Sequence, residues 1–117
     1  MLSEPERLSK RSSDLLLASD TEILVSAASA WEIGIKHAIG RLPLPADPED
    51  LVPGWMEQTQ ARPLAIEHRH ALRASGLPQH HRDPFDRLLV AQAQLERLVL
   101  LTADAQLSRY DVETIGP

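Results

Sequence analysis

Three acids stand out by where they fall in the apolar pattern. Glu32 comes in the first turns after the apolar run Ile23-Leu-Val25, Asp86 opens the helical stretch Pro84 to Ala93, and Asp104 follows directly on Leu98-Val-Leu-Leu-Thr102. Asp86 shares its helical side with Leu89, Val90 and Ala93, the side the spacing predicts to be buried. A carboxylate there requires a partner. Three carboxylates gathered in one place repel one another unless cations neutralise them. An oxygen-only set suits Mg²⁺ or Mn²⁺, which polarises a phosphate and activates a water for in-line attack.

Each acid also has a purely structural reading. Ser29-Ala-Trp-Glu32 fits a capping box, and Lys36 stands four residues beyond Glu32 at ion-pair spacing. Asp83 before Pro84 fits an N-cap, Asp86 gains from the helix dipole, and Asp104 fits the cap of a short last helix. What favours chemistry is that all three fall at one end of the elements that carry them.

Those elements alternate. Arg7 to Ala18 reads as a helix with Leu8, Leu15 and Leu16 inward, and Glu22 to Ser26 as a short buried strand. Ala27 to Ile39 reads as a helix stopped by Gly40, and Asp47-Pro-Glu opens another that runs to about Gln60. Arg62 to Ile66 reads as an edge strand because of its proline, and Glu67 to Ser75 as a helix broken by Gly76-Leu-Pro78. Pro84 to about Arg97 is the next helix, followed by the strand Leu98 to Thr102, a short helix from Asp104 and a last strand around Val112 to Ile115. Alternation of this kind predicts an α/β fold, a parallel sheet covered by helices on both faces. Strand ends and helix starts then share one edge of the sheet, where ligands bind.

With 117 residues, 43% of them hydrophobic, the chain is sized for one domain over residues 1–117. Without cysteine it has neither disulfides nor thiolate metal ligands, which agrees with a reducing cytoplasm. No apolar run approaches the ~20 residues that span a bilayer, so no membrane role is expected. The net charge of −5 argues against nucleic acid, but residues 62–87 sum to +2 and the remainder to −7. Arg82 and Arg87 beside the acids are candidates to hold a phosphate, although an ordinary surface role is the plainer reading. His80 and His81 read as exposed loop histidines within reach of metal or phosphate, and Trp31 and Trp55 as core or partner-facing surface.

Three stretches, "LVSAASAWEIGIKHAIGRLPLP", "HHRDPFDRLLVAQAQ" and "LLTADAQL", resemble the PIN (PilT N-terminus) domain, in particular the VapC ribonuclease toxins of bacterial type II toxin-antitoxin systems. The resemblance runs through nearly all of the chain in the family's order and spacing. It implies a three-layer α/β/α fold and a Mg²⁺- or Mn²⁺-dependent endoribonuclease. By matching motifs, Glu32, Asp86 and Asp104 take the places of catalytic and metal-holding acids. The implied partners are RNA, a cognate antitoxin protein and a second copy of the chain, in the cytoplasm.

Members of that family usually begin with an aliphatic strand ending in Asp-Thr-His, central in the sheet, whose aspartate is a principal metal ligand. This chain is expected to lack it, by roughly ten to fifteen residues. Neither Asp14 nor Asp20 follows a strand that would replace it. Ile23 to Val25 and Leu98 to Leu101 are then expected not to pair directly. The alternative function is a catalytically impaired remnant that only binds an antitoxin or another protein. A receiver-type phosphoacceptor shares the alternation, but the chain has neither its N-terminal acidic pair nor its late lysine.

Overall fold

Ser26 ends one element and starts the next. The computed structural model describes residues 22–116, and in it Leu24–Ser26 forms strand β1, directly followed by helix α1, Ala27–Ala38. The Ser26 hydroxyl accepts the Ala28 N–H at 3.0 Å and is the N-cap. The capping box expected at Ser29 is therefore not formed, because the helix begins three residues earlier and Ser29 lies inside its first turn. Gly40, at φ +77°, closes the helix end with Arg41 N–H bonded to the Lys36 carbonyl at 2.9 Å.

Asp47 caps helix α2, Pro48–Thr59, which ends where Gln60 turns left-handed. Strand β2, Arg62–Leu64, then lies parallel to β1. Arg62 and Pro63 are exposed, as fits an edge strand with a proline that cannot donate to a further neighbour. Helix α3 covers His68–Ser75 and α4 covers Pro84–Glu96. After α4, Arg97 takes φ 56° and Leu98 N–H returns to the Ala93 carbonyl at 2.9 Å. This exit turn uses the first residues of the expected strand, so strand β3 is only Leu100–Leu101, parallel to β4 at Thr114–Ile115. The short helix from Asp104 is 3₁₀, Ala105–Arg109.

Leu89, Val90 and Ala93 are buried as the α4 pattern predicts, and with Leu100, Leu107 and Tyr110 they form the main core. Ile23 and Val25 pack with Leu101 in a second cluster, against which Trp55 and Met56 lie. Among the described residues the strands form two parallel pairs, and no ladder bond joins β1 to β3, in line with the expectation for these two strands. The helix expected at Arg7 to Ala18 and the positions Asp14 and Asp20 lie outside the described residues.

Candidate metal centre

Proline at the first position of α4 and the N-cap Asp83 fix where that helix starts, with the Asp83 side chain accepting Phe85 N–H at 2.9 Å. Asp83 is thereby accounted for as a cap. Asp86, one turn in, is not: its carboxylate is largely buried and lies 3.5 Å from His81 Nε2. Burial, then the charges of Asp83 and Glu32, push the Asp86 carboxyl up to about 7. The helix dipole favours the anion at this position, and burial and repulsion act against it.

Asp104 reaches the same point from the end of β3. Its Oδ1 caps the 3₁₀ turn by accepting Gln106 N–H at 2.9 Å, and its Oδ2 lies 2.7 Å from His81 Nε2. The Gln106 amide holds its carboxyl below the ordinary carboxylate value, with His81 adding to the effect. His81 Nε2 and one oxygen each from Asp86 and Asp104 all lie within 4.8 Å of one another. Two of the three predicted acids are thus brought together. Glu32 is buried on α1, 3.6 Å from Lys36, and its charge is among those that raise Asp86. It flanks the pair without belonging to that close group.

This α/β arrangement, with acids at strand ends and helix starts, agrees with the sequence pattern, and the sequence match decides the family. The family model of the PIN domain matches residues 1–113. The chain belongs to the PIN domain family. Ribonuclease VapC16 of Mycobacterium tuberculosis (strain ATCC 25618 / H37Rv) is 47% identical over 58 residues, which cover 48% of this chain and 41% of that protein. The match therefore spans less than half of that relative's length. The solved structure of FitAB bound to an IR36 DNA fragment superposes with a TM-score of 0.66 over 100% of this chain and 95% of that one, at 20% identity, a likeness of fold.

Other side chains of this PIN domain depart from the expectations. Arg87, expected as a phosphate ligand or surface residue, is buried, and its guanidinium points inward. It donates to the carbonyls of Ala74 at 2.9 Å, Pro78 at 3.0 Å and Leu77 at 3.1 Å, and more weakly to those of His81 and to the Tyr110 hydroxyl. It clamps the loop that carries His81 onto α4, so it has no fork left for RNA. Arg82 is exposed beside the acids, as a phosphate contact requires. Arg62 pairs with Glu22 and Arg69 with Glu67 and Glu96, so two arginines of the basic window are neutralised locally.

His81 is the residue that sequence reasoning undervalued. It is no exposed loop histidine: only 17% of its side chain is accessible. The one signal available was its place two residues before the N-cap of the helix that carries Asp86. His80, its exposed neighbour, turns instead to Tyr110, ring against ring at 5.0 Å. Trp31 is 64% exposed and meets Phe85 in a T-shaped contact, while Trp55 packs on the core. A second group of ligand types, Glu67, His70 and Glu96, lies toward the far end of α4, where Arg69 already neutralises it.

Proposed function

We propose that this chain is a metal-dependent endoribonuclease, the toxin component of a type II toxin-antitoxin pair. The observation that carries the reading is the meeting of Asp86 and Asp104 from two separate elements, with Glu32 flanking them. Among the described residues no lysine or arginine pairs with Asp86 or Asp104. Carboxylates, one of them raised by burial and by neighbouring acids, fit a hard divalent cation. Mg²⁺ or Mn²⁺ bound there supplies Lewis acidity and a water acidic enough to attack a phosphodiester. Family membership and the ribonuclease name of the M. tuberculosis relative support the same reaction class.

The residues then divide the work. Asp86 and Asp104 hold the cation, and Glu32 completes the acidic wall on the α1 side. Arg82, exposed one residue before the N-cap, draws the RNA backbone toward them. Arg87 keeps the loop of His81 and Arg82 in place from behind. The protein partner in this reading is a cognate antitoxin, the active form is a homodimer, and the site of action is the cytoplasm. Among the described residues no helix is long and apolar enough to cross a membrane.

The test is cleavage of single-stranded RNA with Mg²⁺ or Mn²⁺, by the chain and by a form extended with any in-frame residues encoded upstream. Cleavage that EDTA stops and Asp86→Asn abolishes is the expected result. Antitoxin binding with no cleavage by either form would instead favour the binding-only alternative.

A further inference from the structure

The neighbours of the His81 ring fix the part that each of its nitrogens plays. The backbone N–H of Asp83 is directed at Nδ1 across 3.0 Å. A nitrogen that accepts from an amide bears no proton of its own, so the ring proton sits on Nε2. That nitrogen faces Asp104 Oδ2 at 2.7 Å and Asp86 Oδ2 at 3.5 Å. The same arrangement recurs on α3. There Nδ1 of the fully buried His70 accepts Glu67 N–H at 3.0 Å and Nε2 meets Glu96 at 2.9 Å. In both cases the amide belongs to the N-cap residue of a helix, Glu67 for α3 and Asp83 for α4.

We propose that His81 is a positioning residue of this centre, a hydrogen-bond donor to Asp104 beside Asp86 and not a nitrogen ligand of the cation. A histidine that binds metal presents its bare nitrogen to the ion and gives its N–H to a carboxylate or carbonyl behind it. His81 is turned the other way round. Its bare nitrogen is spent on the Asp83 amide, and its proton points at Asp104. Ligation through Nε2 requires the proton to move to Nδ1 and the bond to Asp83 to break, at the cap that starts α4. As a donor, His81 fixes Oδ2 of Asp104 while Gln106 N–H fixes Oδ1. Each oxygen retains a lone pair for a cation, and the carboxylate no longer swings. The inference rests on the proposed function only in taking Asp86 and Asp104 as the carboxylates that hold the ion.

The experiment uses the 117-residue chain. Nitrogen-15 NMR of the histidine ring reads its tautomer, first without metal and then with Mg²⁺, and pulsed EPR of the Mn²⁺-loaded protein reads directly bound nitrogen. The expected result is an Nε2–H tautomer for His81 in both states and no ¹⁴N coupling from a ligating ring. His81→Gln, whose amide can donate from nearly the same place, keeps Mn²⁺ affinity within about 3-fold, whereas His81→Ala weakens it by about 10- to 100-fold. If the alanine variant does not fold, the spectra of the native chain and the glutamine variant still decide. An Nδ1–H tautomer, a ¹⁴N coupling on Mn²⁺, or a glutamine variant as weak as alanine overturns the proposal. If Mn²⁺ does not bind at all, the metal-dependent function fails, while the metal-free tautomer still decides whether His81 is the donor.

Discussion

His81 Nε2 lies 2.7 Å from Oδ2 of Asp104, a residue 23 positions away in sequence. The contact ties the loop before α4 to the end of β3, the two places that supply the acids of the candidate centre. A centre assembled from two elements depends on both being held, and the variants below separate the holding from the chemistry.

Asp86 is held in the fold at a cost. Its carboxyl is raised from 3.8 to about 7, so between those values the folded chain keeps a proton that the unfolded chain gives up. The stabilisation this represents is fully present below about pH 4 and is lost as pH rises through about 7. Its upper bound is on the order of 4 kcal/mol, at ~1.4 kcal/mol per pH unit. Asp86→Asn is therefore expected to stabilise the metal-free protein at pH 8 and to leave it nearly unchanged at pH 4. Urea unfolding of both forms across that range measures it. Equal midpoint differences at the two pH values would show that Asp86 is not raised.

Arg87 serves the fold. Arg87→Ala leaves several carbonyls of the loop without their donor, and a loss of about 3–5 kcal/mol is expected, as for breaking a buried charged network. Arg87→Lys recovers only part of it, because an ammonium cannot reproduce the guanidinium fork. Chemical denaturation is the measurement, and a change within about 0.5 kcal/mol, the range of ordinary surface substitutions, would contradict the clamp.

Arg82 has the opposite profile. Arg82→Ala is expected to leave stability within about 0.5 kcal/mol and to weaken RNA binding at low salt. The slope of log affinity against log salt should become shallower by about one phosphate contact, roughly 0.7 for a single strand. Fluorescence titration of catalytically silent Asp86→Asn, with and without the Arg82 change, reads both quantities. An unchanged slope would remove Arg82 from the RNA path.

Much of this was legible in the chain. The period of Leu89, Val90 and Ala93 placed Asp86 near the core side of α4, and the alternation of elements placed Asp104 beside it. Ser29 misled because a capping-box spacing also occurs inside a helix, and only the geometry at Ser26 shows where α1 starts. Strand β3 was read too long because the left-handed turn at Arg97 leaves no strong sequence mark on a residue other than glycine. Arg87 and His81 were misjudged for a common reason. Their partners are backbone groups and acids brought near by the fold, and single-residue charge says nothing of which way a side chain turns.

Calorimetric titration with Mn²⁺ at pH 8, on the native chain and on Asp86→Asn and Asp104→Asn, tests the centre most directly. Saturable binding to the native chain, weakened at least about 10-fold by either substitution, is the predicted result. Binding that survives both substitutions unchanged, or no binding to the native chain, would contradict the claim that these two carboxylates hold the cation.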